Sequence, residues 1–215
     1  MVATAATPTK GAATREVILA RAFELASANG LEGLTIGSLA DQVGMSKSGV
    51  FAHFGSREDL QLAVLELAGR RFVDAVLMPA LKTRRGLPRL RAIMRNWLEW
   101  GRTTVGGCVL LGAVGEYDDR PGPLRDHVVA QQRQWRAEIA HAVQLAIDSG
   151  ELEPRTDPEQ MSFELYSIAL IVHFDSGLFG YAPALARGQE ALRRLLRAYG
   201  VADSGEAAAP DRRDS

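Results

Sequence analysis

Between Thr35 and Phe51 the chain reads TIGSLADQVGMSKSGVF, and this stretch constrains the fold more than any other. It holds two helices too short to be stable alone, so each must be braced by the other across a tight turn. Such a pair needs a small residue at the crossing, a glycine at the turn and apolar plugs on both sides. Ala40, Gly44 and the set Ile36, Leu39, Val43, Met45 and Val50 meet those needs in order. Thr35 and Ser46 stand where N-caps belong, one before each helix.

The second helix of the pair then starts with its first turn free to face a phosphate or a base edge. A helix so placed is the one that enters a major groove. The net charge of −1 argues against a chain coated in basic residues for indiscriminate nucleic-acid binding, but leaves room for a local footprint. Residues 1–57 carry Lys10, Arg15, Arg21, Lys47 and Arg57 against Glu16, Glu24, Glu32 and Asp41, so the remainder is slightly acidic.

Elsewhere apolar residues recur at helical spacing with no sustained period-two run, which predicts an all-α fold of about nine helices. A first helix is expected over about 14–29, with Ile18, Ala22, Leu25 and Ala26 on one face and Gly30 as its left-handed cap. Ser56 and Asp59 form a capping-box-like start for a long helix that runs to about Met78, where Pro79 disfavours continuation. Further helices are read at about 88–102 and 107–116, then a long one ending near Gly150. Asp157, Pro158 and Gln160 combine an acidic N-cap, proline at N1 and a capping-box glutamine. The helix they open is apolar around most of its circumference and must be covered on several sides. A last helix is read over about 183–199, with Leu192, Leu195, Leu196 and Tyr199 on one stripe.

No long apolar run approaches the roughly 20 residues that a bilayer demands, and the opening segment has neither a signal-peptide nor an anchor pattern. The lone cysteine, Cys108, calls for no oxidising compartment, so a cytoplasmic setting is expected.

From Ile18 through Leu60, and above all in V-G-M-S-K-S-G-V-F-A-H-F-G-S-R-E-D-L, the sequence resembles the DNA-binding domain of the TetR (tetracycline-repressor) family. The remaining helices resemble that family in number and order only. The resemblance implies a homodimeric regulator, a repressor by default, released from a palindromic operator when a small-molecule effector binds. It implies DNA-facing positions at Thr35 and at Ser46, Lys47, Ser48, Gly49, Phe51 and His53, with Arg57 as a phosphate contact. Two departures stand out: Phe51 where a tyrosine is frequent, and Gly49 where threonine or alanine is common. The implied organisation is a flexible arm over 1–13, a helix-turn-helix domain over 14–56, an effector-binding and dimerisation domain over 57–201, and a disordered tail over 202–215.

In the C-terminal part, Met94, Trp97, Trp100, Tyr117, Trp135, His173 and Phe174 are candidates to line an apolar effector cavity. Leu170, Phe174, Leu192, Leu195 and Leu196 are candidates for the dimer interface, because the last two helices resemble the family's dimerisation pair. Rival classes leave thinner traces. Glu138 and His141 make one Glu-x-x-His, whereas a di-metal helical-bundle enzyme needs two plus further glutamates. Gly107 to Gly112 lacks the Lys-Ser/Thr of a phosphate loop, and no serine or cysteine sits in a nucleophile elbow. No catalytic residue, metal or cofactor is expected. The alternatives are a helical protein-interaction module and, behind it, a metal-dependent helical-bundle enzyme.

Overall fold

The computed structural model describes residues 10–103 and 107–201. The expectations for residues 1–9 and for the tail at 202–215 fall outside that range. Among the described residues every regular element is helical: α1 (Lys10–Asn29), α2 (Ile36–Val43), α3 (Lys47–Phe54), α4 (Arg57–Phe72), a π-helical turn (Val73–Leu77), α5 (Met78–Leu81), α6 (Leu87–Thr103), α7 (Val109–Tyr117), α8 (Pro123–Asp148), α9 (Pro158–Phe179) and α10 (Tyr181–Ala198). With α4, the π turn and α5 counted as one rod, nine helices result, as the periodicity predicts.

Local chemistry sets the boundaries. Thr35 Oγ1 accepts from Ser38 N, and Ser38 reciprocates, which makes a capping box. Ser46 Oγ accepts from Gly49 N at 3.1 Å, and Ser56 Oγ accepts from Asp59 N at 2.9 Å. Asp157 caps α9 through Glu159 N and Gln160 N. The expected box there is only half formed, because the Gln160 amide donates onward to Glu164 instead of back to the cap. Gly44 ends α2 at φ +66°, the left-handed turn that the α2–α3 junction requires.

Two boundaries differ from expectation. Helix α1 starts at Lys10, so residues 10–13 belong to it and not to a flexible arm. The long rod passes Pro79 and ends at Leu81: Met78 N donates to Val73 O, five residues back, and this wider turn accommodates a proline that cannot continue the regular ladder. Asn96 Nδ2 donates to Val76 O at 3.0 Å and supports the π turn from α6.

Two apolar cores form, and they do not divide at 56/57. The first gathers Ile18, Leu19, Ala22, Leu34, Leu39, Val50 and Phe54, but is closed by Leu60, Val64 and Leu65 of α4, Val109 and Ala113 of α7, and Leu124 and Val128 of α8. The three N-terminal helices bury too little surface to stand alone, so the later helices complete their core. The second core lies among α6, α8, α9 and α10, with Phe72, Ile93, Met94, Trp97, Ile139, Met161 and Leu165.

Helices α9 and α10 make the closest pairing in the fold. Gly188 is buried at their crossing, and a Cβ there would overlap the Val172 Cγ2 methyl. Gly188→Ala is therefore expected to cost about 1–3 kcal/mol by overpacking. Urea denaturation at fixed protein concentration checks this, and Val172→Ala in the same chain should recover part of the loss.

Candidate nucleic-acid interface and effector cavity

Helix α3 turns Val50 and Phe54 into the first core and presents Lys47, Ser48, Phe51 and Ala52 to solvent. At 100° per residue those four fall within one arc of about 140°. Phe51 is 52% exposed, an uncommon position for phenylalanine on an otherwise well-packed unit. Lys47 is exposed and makes no ion pair among the described residues; its Cε and Nζ lie over Gly37 of α2. Ser46, by capping, holds the α3 N-terminus at the surface, where the first amides lack intrahelical acceptors.

Other expected DNA-facing positions lie differently. Thr35 is exposed, but its hydroxyl is engaged in the α2 cap. Gly49 and His53 fall outside the arc, at about 200° and 240° round the helix from Lys47. A Cβ at Gly49 would crowd Ser46 Oγ and Met45 Cε at 3.2 and 3.3 Å, so this glycine relieves crowding at the cap.

Arg57 is engaged within the fold as well as exposed: Nε donates to Leu34 O at 2.9 Å, and Nη2 donates to Glu32 O and to the Glu32 carboxylate. The α1–α2 turn it grips is held from α7 as well. The Glu116 carboxylate accepts from Leu31 N at 3.1 Å and from Glu32 N at 2.7 Å. Gln61, buried on α4, donates to Leu31 O at 2.7 Å and to the Tyr117 hydroxyl, which donates in turn to Glu32 Oε1 at 2.7 Å. The Tyr117 bond, backed by Arg57 and Arg120, holds the Glu32 carboxyl below its ordinary range against a smaller opposing effect of burial. Burial and the same carboxylate push the Tyr117 phenol up. Tyr117 therefore belongs to this joint and not to an effector cavity.

A cavity of about 470 Å³ opens among α4, α6, α7 and α8. Its apolar walls include Phe72, Val73, Leu77, Trp97, Leu110, Leu111 and Trp135; its polar lining includes Glu66, Arg70, His127, Gln131, Gln134 and Glu138. Phe72, Trp97 and Trp135 meet edge to face, with interplanar angles of 82–87°. Of the expected lining residues, Trp97 and Trp135 take part. Trp100 packs edge-on against Phe72 and, with His173, lines a far smaller neighbouring space. Burial lowers the His173 pKa. Met94 is fully buried core, and Phe174 is 51% exposed on the outside.

That outside face is apolar. Phe163, Ile171, Phe174 and Leu178 of α9 are all exposed, with Leu170 half-buried beside them, and the five lie within about 100° of arc. Of the expected interface leucines, Leu192 and Leu195 are half-buried against the second core, while Leu196 is 6% exposed and is part of it. Phe163, Ile171 and Leu178 were missed because nothing in a periodicity separates the side of an all-round apolar helix that faces its own core from the side that does not.

Residues 18–64 match the family profile described as bacterial regulatory proteins, tetR family, and residues 86–192 match the tetracyclin repressor-like C-terminal domain. The chain belongs to the TetR family. Solved TetR-family folds resemble it along most of its length. A TetR transcriptional regulator from Chloroflexus aurantiacus is 26% identical over 88% of this chain and 96% of that one, with a TM-score of 0.80. AibR, solved with isovaleryl coenzyme A and operator DNA, is 21% identical over 80% and 94%, with a TM-score of 0.65. A regulator from Saccharomonospora viridis, solved with choline, is 18% identical over 86% and 96%, with a TM-score of 0.73. No curated protein matches the chain. No helix among the described residues is long and apolar enough to cross a membrane, and no group of three or more metal-binding side chains gathers there.

Two outcomes are expected of the joint between the first three helices and α7. Glu116→Ala should cost about 1–3 kcal/mol, the range for hydrogen bonds to a charged group whose partners lose their acceptor, measured by urea denaturation. Because the Glu32 pKa is lowered in the fold, its contribution is present above the ordinary carboxylate value and is lost as pH falls through the folded value. Melting curves between pH 7 and pH 3 should show wild type losing its advantage over Glu32→Gln on the acid side, with the two converging.

Proposed function

We propose that this TetR-family chain is a homodimeric transcriptional regulator, a repressor, that binds a palindromic operator through α3 and leaves it when a small molecule occupies the cavity beside α4. The observation that carries this reading is the outward row on α3: a lysine, a serine and a half-exposed phenylalanine on a helix capped by Ser46 and locked from behind by Val50 and Phe54. Lys47 supplies a phosphate or guanine-edge contact, Ser46 and the first amides of α3 hold a phosphate, and Phe51 offers an apolar face to a thymine methyl. Thr35 and His53 flank that contact, and Arg57 shapes it from behind by fixing the α1–α2 turn. The helix-turn-helix unit over residues 10–56 reads DNA, and the remainder binds effector and partner. The chain works by binding rather than by catalysis, in the cytoplasm where its operator is.

The apolar face of α9 supports the dimer. Burying a phenylalanine, leucine or isoleucine is worth about 1.5–3 kcal/mol, so leaving Phe163, Ile171, Phe174 and Leu178 in water is costly for a lone subunit. A twofold axis against that face pairs two copies of α9 and α10. It also sets two α3 helices to reach major-groove faces about 34 Å, or a multiple of that, apart.

Selection of bound sequences from a random duplex pool tests the reading. A palindrome should emerge with wild type and be lost with Lys47→Ala. On that operator, Lys47→Ala should flatten the slope of log affinity against log salt by about one phosphate contact. Phe174→Asp should give a monomer by light scattering and no operator complex. A folded dimer that enriches no sequence would contradict the proposal and favour a protein-interaction module.

A further inference from the structure

We infer that the effector is an uncharged, flat, mostly apolar molecule bearing hydrogen-bonding oxygens along one edge, such as a polycyclic or aryl ketone. The inference rests on the regulator reading above, and it comes from how the cavity walls divide. On one side stand Phe72 of α4, Trp97 of α6, and Leu110 and Leu111 of α7, a surface of rings and branched aliphatics. On the other, His127, Gln131, Gln134 and Glu138 follow one another along α8 at i, i+4, i+7 and i+11, with Gln132 and the Trp135 ring beside them on the same helix. At about 1.5 Å rise per residue, that row runs about 16 Å along a single face. A cavity of about 470 Å³ suits a molecule of drug size, and the edge-to-face rings of Phe72, Trp97 and Trp135 beside a row of amides suit a flat one with polar atoms along an edge.

Charge narrows the class. The charged side chains on the cavity are Glu66, Arg70 and Glu138, and Arg70 Nη1 already faces Glu66 at 4.0 Å. A phosphate-bearing thioester would meet two carboxylates against a single guanidinium. A cation would find its carboxylates only where Glu66 and Glu138 are exposed to water and screened. The amides offer better handles. Gln131 Nε2 donates to Leu65 O at 3.3 Å, and its Oε1 has no partner among the described residues. Gln134, exposed like Glu138 but uncharged, makes no hydrogen bond to the described residues and is free to turn to an occupant. Trp135 Nε1 and His127 Nε2 are buried without hydrogen-bond partners among the described residues, so an occupant's oxygen that reaches either would satisfy a group that a hydrocarbon would leave unpaired.

Gln131 ties this wall to α4. A Cβ at Gly69 would stand 2.8 Å from Gln131 Nε2, so the amide lies directly on the α4 backbone beside the carbonyl it bonds. An occupant that draws the Gln131 amide away releases that contact.

All three tryptophans of the chain, Trp97, Trp100 and Trp135, lie on or next to the cavity, so their fluorescence reports its occupancy. The experiment titrates the full-length dimer with 7-methoxyflavone and progesterone as uncharged ketones, hexanoyl coenzyme A as a polyanion and tetraphenylphosphonium as a cation. Operator binding is followed in parallel by fluorescence anisotropy. At least one ketone should quench and bind at least tenfold more tightly than either ion. Gln134→Leu, which leaves the α4 contact intact, and Gln131→Leu should each weaken it about tenfold, and Glu138→Gln should change it less than twofold. Tighter binding of an ion, or of the phosphonium lost in Glu138→Gln, would overturn the inference. So would failure of both ketones in a dimer that binds operator, and the regulator reading would then stand alone. Quenching by a ketone in a dimer that binds no DNA would retain the ligand class and remove the regulator.

Discussion

The short turn between α1 and α2 meets only part of its own backbone hydrogen bonding, through Leu34 N donating to Leu31 O, and the placing of the first three helices rests on how the rest is met. Leu31 N, Leu31 O, Glu32 N, Glu32 O and Leu34 O are taken up by side chains of Glu116, Gln61 and Arg57, which sit on α7 and α4. Buried and half-buried backbone groups such as those of Leu31 and Leu34 need partners, and here side chains from α4 and α7 supply them. The helix-turn-helix unit is consequently not a bead on a string. Its orientation is dictated by two helices that also frame the cavity.

Helix α7 makes this joint short. It begins beside Cys108, Leu110 and Leu111, which touch the cavity, and ends nine residues later at Glu116 and Tyr117, which hold the turn. The α4 rod runs alongside, from Arg57 and Gln61 at the turn to Phe72 and Val73 at the cavity. A shift of either helix at the cavity is carried toward Leu31 and Glu32 through residues buried along the way, Leu111 and Ala113 on α7 and Val64, Leu65 and Ala68 on α4. Two recognition helices whose spacing must match a DNA turn are sensitive to small rotations of this kind.

The helices and their caps were legible in the sequence because they are local. Thr35, Ser46, Ser56 and Asp157 cap within three residues, and Gly44 needs only its own φ. The outward row of α3 was largely legible too, since the same periodicity that buries Val50 and Phe54 exposes Lys47 and Phe51. What escaped is long-range. Arg57 looks like a surface cation until Leu34 O and Glu32 O, 23 and 25 residues away, come within its reach. Glu116 and Gln61 carry no motif at all. Tyr117 and Met94 are apolar enough for a cavity, yet one is drawn into a polar joint and the other into solid core. Leu196 shares a stripe with Leu192 and Leu195 but lies on its inner edge. The π turn arises from a compromise between Pro79 and the packing of α6, which no local rule anticipates.

The account turns on the claim that the grip of α4 and α7 on residues 31–34 sets the DNA-binding unit for its operator. Operator affinity of Glu116→Ala, measured by fluorescence anisotropy on a dimer whose α3 is untouched, tests it most directly. A loss of about tenfold or more, equivalent to about 1.4 kcal/mol, is the result the account requires. An unchanged affinity in a folded, dimeric Glu116→Ala protein would show that the recognition helices are positioned by something else.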